Sequence, residues 1–278
     1  MATTNPRSSP VTRHYAKLGR LAALAAAVTI GYGILQGTSI RIERISVGCR
    51  GLPQTAWGLT ILQVSDLHAD SSLKMARKVA EALAPVSARL MVMTGDFGVA
   101  GRSAQSAIAG ARLLAGSVKR GVPVYAVEGE SDSAEIMAGI EGAGVKVLDN
   151  RAVPIVAGFW LVGRNPYDGG HATLRDILQT LPSGSEFILA SHSPEVMLEE
   201  GSARAKLVLA GHTHGGQIRL PFVQPTMLLT RLGPSYFAGL YRYGDSYLYI
   251  NRGLGTTMIP LRLYSPPEIT LFTLWARQ

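Results

Sequence analysis

The body of the chain alternates short apolar runs with helical stretches. Three consecutive pairs of this kind are residues 59–65 with 73–84, 89–94 with 103–118, and 122–127 with 132–142. Strands that alternate with helices form a mostly parallel sheet covered by helices. In such a sheet, ligands bind beyond the carboxyl ends of the strands. The sequence therefore predicts an α/β fold whose functional residues follow the strands.

The second half of the chain predicts a second sheet. Runs typical of strands follow one another there, with one helix near 171–180. From Tyr236 the pattern becomes that of β-hairpins, which end with residues 268–275. Such alternation predicts a second sheet packed on the first. Because no linker or repeat interrupts the chain after residue 50, we expect residues 41–278 to form one domain.

The first fifty residues carry most of the positive charge. The chain has a formal net charge of +8, and residues 1–50 contain seven Lys and Arg residues against one Glu. The rest of the chain is therefore close to neutral, whereas a nucleic-acid-binding face needs a clustered basic excess. We expect no nucleic-acid partner, and we expect a membrane to be the partner of the basic N-terminus.

An uncharged stretch follows this basic tail at residues 21–40, bracketed by Arg20 and Arg41. Twenty helical residues span about 30 Å, the thickness of the hydrocarbon core of a membrane. A cleaved signal peptide is the alternative, but the small residues at 25–27 come too early for a cleavage site. The sequence thus predicts a basic tail (1–20) and a single-pass N-terminal anchor (21–40). The bases before the span favour an extracytoplasmic catalytic domain.

Histidine and carboxylate side chains cluster directly after the predicted strands. The segments VSDLHAD, MTGDFG, ASHSPE and AGHTHGGQ supply Asp66, His68, Asp96, His192, His212 and His214. Imidazole and carboxylate are ligands that suit Zn, Mn or Fe, and a carboxylate can bridge two ions. Three of the segments each have a plain structural explanation when taken alone, because Asp caps helices and Gly-Asp is a common turn. The two histidines of GHTHGGQ have no evident packing role. Four such segments at strand ends predict a metal centre.

These motifs resemble those of the calcineurin-like metallophosphoesterases over residues 57–275. The chain is most similar to the membrane-associated bacterial branch, which shares the GHTHGGQ form and an NRGLG-type segment, here 251–255. The resemblance implies a four-layer α/β/β/α sandwich, the metallo-dependent phosphatase-like fold, with two divalent metal ions (Mn, Zn or Fe) at the sheet edge. By the family's motifs, the first ion is held by Asp66, His68 and His214, the second by His192 and His212, and both by Asp96. The implied reaction is hydrolysis of phosphate esters by a bridging hydroxide.

The chain departs from the family at residues 129–132. Where the family has Gly-Asn-His followed by Asp or Glu, this chain has Gly129, Glu130, Ser131 and Asp132. Glu130 therefore replaces the Asn ligand of the second ion, and its charge is expected to tighten metal binding and to reduce Lewis acidity. Ser131 replaces the histidine that assists the leaving group, which a serine cannot do near neutral pH. We expect Asp132 to cap the next helix.

The sequence as a whole predicts a membrane-anchored, metal-dependent hydrolase of phosphodiesters, pyrophosphates or monoesters. Its expected partner is a membrane lipid or a phosphorylated envelope substrate. The alternative is a catalytically weak metal-binding sensor or scaffold at the membrane, which Glu130 and Ser131 favour. The intact motifs of the other six ligands favour an enzyme. No catalytic side chain is assigned beyond the ligands.

Overall fold

The computed structural model describes residues 10–220 and 230–277, so residues 1–9 of the expected basic tail lie outside it. The α-helices in the described residues are α1 (Pro10–Gln36), α2 (Lys74–Leu83), α3 (Ala104–Ser117), α4 (Ala134–Glu141) and α5 (Leu174–Gln179). The strands are β1 (Arg41–Arg50), β2 (Thr60–Val64), β3 (Leu90–Thr94), β4 (Val124–Val127), β5 (Lys146–Val147), β6 (Arg151–Val156), β7 (Phe159–Arg164), β8 (Glu186–Ser191), β9 (Val208–Ala210), β10 (Gly239–Tyr243), β11 (Ser246–Ile250) and β12 (Glu268–Arg277).

These strands form two six-stranded sheets. The first has the order β1-β12-β2-β3-β4-β5, in which β2 to β5 are parallel neighbours. The second has the order β10-β11-β9-β8-β7-β6, in which β7, β8, β9 and β11 are parallel. The predicted second sheet is therefore present. Both sheets place the ends of parallel strands at the edge that carries the histidine motifs.

The two sheets pack face to face and are covered on their outer faces. Side chains of β3 alternate, since Met91 and Met93 face α2, α3 and α4 whereas Leu90 and Val92 face the second sheet. On the far side of the second sheet, Ile177 of α5 packs with Leu189. This arrangement is the predicted α/β/β/α sandwich, and each strand of its centre is apolar because both faces are buried.

The last strand does not lie where the sequence placed it. We predicted residues 268–275 as part of the hairpins of the second sheet, and this was wrong. Strand β12 lies in the first sheet, antiparallel to β2 and parallel to β1 along Arg41–Arg50, a strand that the periodicity did not predict. Alternation shows that a segment is a strand with two different faces, but the choice of partner depends on contacts far away in the chain.

Helix α1 is longer at its N-terminal end than the predicted span of 21–40, and it ends at Gln36. Its residues from His14 to Gln36 are long and apolar enough to cross a membrane and are almost entirely exposed. Leu, Ile and Val side chains along the helix are exposed, and within the described residues no other part of the domain packs over them. An all-round apolar surface of this kind is typical of a helix in lipid.

Candidate metal centre

Five parallel strands deliver the predicted ligands to one edge of the sandwich. Strands β2, β3 and β4 of the first sheet and β8 and β9 of the second end directly before the ligand-bearing loops. The seven residues in these loops are Asp66, His68, Asp96, Glu130, His192, His212 and His214. The structure brings all seven together, and three overlapping groups of them have ligand atoms within 4.8 Å of one another.

The first group consists of Asp66, His68 and His214. The Nε2 atoms of the two histidines are 3.1 Å apart, and their rings stack. Nε2 of His214 is 3.5 Å from Oδ1 of Asp66, and Nε2 of His68 is 3.4 Å from Oδ2 of Asp96. Asp96 therefore lies against this group from the side of the second one.

The second group consists of Glu130, His192 and His212. Nε2 of His192 is 2.7 Å from one carboxylate oxygen of Glu130, and Nδ1 of His212 is 2.8 Å from the other. Nε2 of His192 is also 3.7 Å from Oδ1 of Asp96. Since Asp96 reaches His68 with one oxygen and His192 with the other, its carboxylate lies between the two groups, as a bridging ligand must.

Backbone carbonyl groups set the orientation of two of the rings. Nδ1 of His68 lies 2.8 Å from the carbonyl oxygen of Gly98, and Nδ1 of His192 lies 2.7 Å from that of Thr94. A carbonyl can only accept, so each Nδ1 carries the proton and donates. In the neutral form of each ring the lone pair then lies on Nε2, where it can bind a cation, which is the arrangement that metal-binding histidines favour.

The ligand loops also carry unusual backbone conformations. Asp66, His68, Asp96, His212 and His214 all have positive φ, between 42° and 73°. This left-handed region costs free energy for residues with a side chain, and such residues cluster at functional sites. Half of the ten non-glycine residues with positive φ in the described chain are thus predicted ligands, which indicates that the fold orients these side chains at a cost in stability.

Two ring nitrogens of the second group are buried without a hydrogen bond. Within the described residues, Nε2 of His192 and Nδ1 of His212 have no aligned partner, although Glu130 oxygens lie close by. Buried polar nitrogens left in this state are costly and call for an explanation. A cation between the two rings and the carboxylate accounts for both, so the residues present fit a metal ion.

The electrostatics of the cluster agree with this fit. Burial raises the pKa of Asp66, and burial together with the charge of Asp96 raises the pKa of Asp132 to about 7. Burial alone would lower the pKa of His192, but Asp96, Glu130 and Asp66 raise it well above its usual value. The shifts of His192 and Asp132 report an excess of negative charge at the cluster, whereas that of Asp66 reports mainly its burial. Cations at the cluster would neutralise that excess.

Glu130, the residue that departs from the family motif, remains in a position to bind a cation. Burial acts to raise the pKa of its carboxyl group, but His192 and His212 lower it far below the usual range. Its Oε2 also accepts a hydrogen bond from the hydroxyl of Tyr167 at 3.0 Å. Burial and the charge of Glu130 raise the pKa of that hydroxyl, so Tyr167 stays protonated. Sequence reasoning missed Tyr167, since a tyrosine in a turn carries no signal of its own.

The predicted helix cap at Asp132 was wrong. Ser133 is the N-cap of α4, because its side chain accepts from the backbone N–H of Ile136. The carboxylate of Asp132 instead accepts from the backbone N–H groups of Asp96, Gly129 and Phe97, at 2.8, 3.0 and 2.8 Å. Asp132 therefore holds the loop that carries Asp96 in place, a role that spacing along the chain cannot indicate.

Ser131 is turned toward the carboxylate of Asp96. Its backbone N–H donates to Oδ1 of Asp96 at 2.9 Å, and its hydroxyl donates to Oδ2 at 3.1 Å. The serine thus positions Asp96. It also lacks the acidity of a histidine. Its geometry gives a second reason, besides chemistry, why it does not serve the leaving group.

The chain is similar in sequence to several known proteins. Residues 59–216 match the calcineurin-like phosphoesterase family. The uncharacterized metallophosphoesterase YkuE of Bacillus subtilis is 41% identical over 114 residues, which are 41% of this chain and only 37% of that protein. The uncharacterized metallophosphoesterase YkoQ of the same species is 27% identical across 83% of this chain and 89% of its own length. The phosphodiesterase YaeI of Escherichia coli is 34% identical over 49% of each chain.

Proposed function

Because this chain belongs to the calcineurin-like phosphoesterase family, whose members are metal-dependent hydrolases of phosphate esters, we propose that its clustered side chains hold two divalent metal ions. The ligands would be Asp66, His68 and His214 for one ion, Glu130, His192 and His212 for the other, and Asp96 for both. The observation that carries this proposal is the convergence of seven side chains from five loops, in which two ring nitrogens face the two oxygens of one carboxylate, that of Glu130. The imidazole and carboxylate donors suit Mn, Zn or Fe.

The side chains of this centre bind and orient, and the ions supply the reactivity. A pair of such ions lowers the pKa of a bound water and clamps the oxygens of the phosphate. Asp96 links the two ligand groups, and Ser131 donates a hydrogen bond to each oxygen of the Asp96 carboxylate. Gly98 and Thr94 fix the rings of His68 and His192 through their carbonyl groups.

The centre favours esters with a good leaving group. Ser131 cannot donate a proton to a departing alkoxide near neutral pH. We therefore propose pyrophosphates, and phosphodiesters whose leaving group is weakly basic, as substrates ahead of simple alkyl esters. The name of the related Escherichia coli protein, a phosphodiesterase, is in line with this choice.

Helix α1 supports a location at the membrane. Its apolar stretch is long enough to span a bilayer, and it leads directly into the domain at Arg41. We propose that α1 is a single-pass anchor and that the domain lies outside the cytoplasm, with a membrane or envelope phosphate ester as substrate. Protease added to intact cells should digest the domain. Digestion only after the cells are opened would contradict this orientation.

The full-length protein in detergent tests the hydrolase function. With added Mn²⁺, we predict release of p-nitrophenol from bis-p-nitrophenyl phosphate, and slower release from p-nitrophenyl phosphate. The release should stop when a chelator removes the metal and return when the metal is restored. A folded protein that binds Mn²⁺ but releases no product from either ester would contradict the proposal and favour the sensor or scaffold.

A further inference from the structure

The C-terminal end of α1 packs beside the metal centre. The carbonyl oxygen of Gly33 accepts from the backbone N–H of Arg262 at 3.2 Å, and the side-chain oxygen of Gln36 accepts from that of Ser265 at 3.2 Å. The contact at Gly33 is close, because a Cβ atom there would lie 2.9 Å from Cγ of Leu261. The apolar helix therefore ends against residues 261–265.

That segment touches a predicted ligand directly. Arg262 is fully buried, and its guanidinium donates to the backbone carbonyl of His214 at 3.3 Å. The hydroxyl of Ser265 donates to the same carbonyl at 2.8 Å. Only one residue thus separates the anchor helix from a residue of the metal centre. If α1 spans a bilayer, the centre lies close to the surface of that bilayer.

An apolar groove connects the two. It encloses ≈ 210 Å³, its lining is mostly apolar but includes Asp70, and it extends from Ile34 and Gly37 at the end of α1 to His68. Its walls include Leu73, Met75 and Thr256. Beside it, Met258 and Ile259 are 85% and 45% exposed. Exposure of such apolar side chains is unfavourable in water but not at a lipid surface. The lining of the groove thus includes both the end of the apolar helix and a proposed metal ligand.

We propose that this groove binds the alkyl chain of an amphiphilic phosphate ester whose phosphate lies at the metal centre. The inference rests on the proposed hydrolase function and adds the class of substrate. A lipid in the bilayer has its phosphate at the surface and its chain beside α1, so the same molecule reaches both ends of the groove. Each methylene that enters the groove should strengthen binding about fourfold.

The chain-length preference of the full-length protein in mixed micelles tests this assignment. We compare p-nitrophenyl ethyl phosphate with p-nitrophenyl dodecyl phosphate by kcat/KM, and we expect the dodecyl ester to be preferred at least about 10-fold. Thr256→Trp fills the groove and should remove most of that preference. Gly116→Trp on α3, where a Cβ meets nothing within 4 Å, introduces the same side chain elsewhere and should keep it.

A second pair of variants covers the case in which Thr256→Trp fails to fold. Gly33→Leu pushes α1 away from Leu261, whereas Gly31→Leu places the same side chain in open space on the same helix. The first should reduce the preference for the dodecyl ester and the second should not. Equal kcat/KM values for both esters in an active wild type would overturn the groove and leave the hydrolase function standing. Failure to hydrolyse either ester would contradict the hydrolase function itself.

A binding measurement removes the dependence on activity. Hexadecyl phosphate with a diazirine in the middle of its chain can be crosslinked to the full-length protein in nanodiscs. We expect labelled peptides from residues 67–76 and 255–260, which line the groove. Labelling confined to the outward surface of α1 would show contact with bulk lipid only and would overturn the assignment.

Discussion

Replacing the bridging carboxylate should cost more activity than any other single change in the site. Asp96→Asn keeps the size of the side chain but removes the charge shared by both ligand groups. The new amide N–H₂ must also face one of the two donors of Ser131, which now hold the oxygens at 2.9 and 3.1 Å. We predict a loss of roughly 10³-fold in kcat with bis-p-nitrophenyl phosphate, because the proposed carboxylate bridge between the two ions is lost and the loop loses an anchor.

A matched variant separates this loss from a general effect of removing an aspartate. Asp245 lies at the exposed turn between β10 and β11, where it pairs with Arg50 and Arg277. Exposed pairs of this kind contribute little to stability. Asp245→Asn should therefore retain wild-type kcat and metal content. An Asp96→Asn enzyme that is folded and keeps its activity would remove Asp96 from the bridging position.

Restoring the family motif should increase activity on substrates whose leaving group needs a proton. Glu130→Asn together with Ser131→His removes one negative charge from the second ligand group and introduces a side chain that can donate a proton. General acids of this type contribute about 10²–10⁴-fold. We predict about a 10²-fold increase in kcat for phosphodiesters with an alkyl leaving group. With p-nitrophenol, which leaves without a proton, the change should be small.

The dependence of rate on the leaving group distinguishes acid catalysis from a change in the metals. In the wild type, the rate should fall steeply as the pKa of the leaving alcohol rises, and in the double variant it should fall less. Glu130→Asn alone serves as the control, because it changes the charge of the ligand and keeps the hydrogen bond from the Ser131 hydroxyl to Asp96. An identical slope in all three proteins would refute our explanation of the departure at residues 130 and 131.

The sequence was most informative where chemistry and periodicity coincide. Asp66, His68 and Asp96 each follow a buried apolar run, so parallel pairing alone places them at one edge. The alternation of apolar residues also predicted the second sheet, and the long uncharged stretch predicted the apolar helix. Their assignment as ligands stays a prediction until a metal is observed.

The sequence was least informative where a residue acts through long-range contacts. Strand β12 pairs with β1 and β2, which precede it by about 200 residues, and alternation does not encode partners. Asp132 holds backbone N–H groups of another loop, and Arg262 links α1 to His214. Such contacts form only in the folded chain, and the spacing of residues along the sequence does not predict them.

The metal content of the full-length protein tests the central claim most directly. After loading with Mn²⁺ or Zn²⁺ and removal of free metal, elemental analysis should find two ions per chain in the wild type and fewer in Asp96→Asn. The proposed second ion would lie between the rings of His192 and His212 and the carboxylate of Glu130, where Asp96, Glu130 and Asp66 concentrate negative charge. A folded wild-type protein that retains one ion or none would contradict the dinuclear centre.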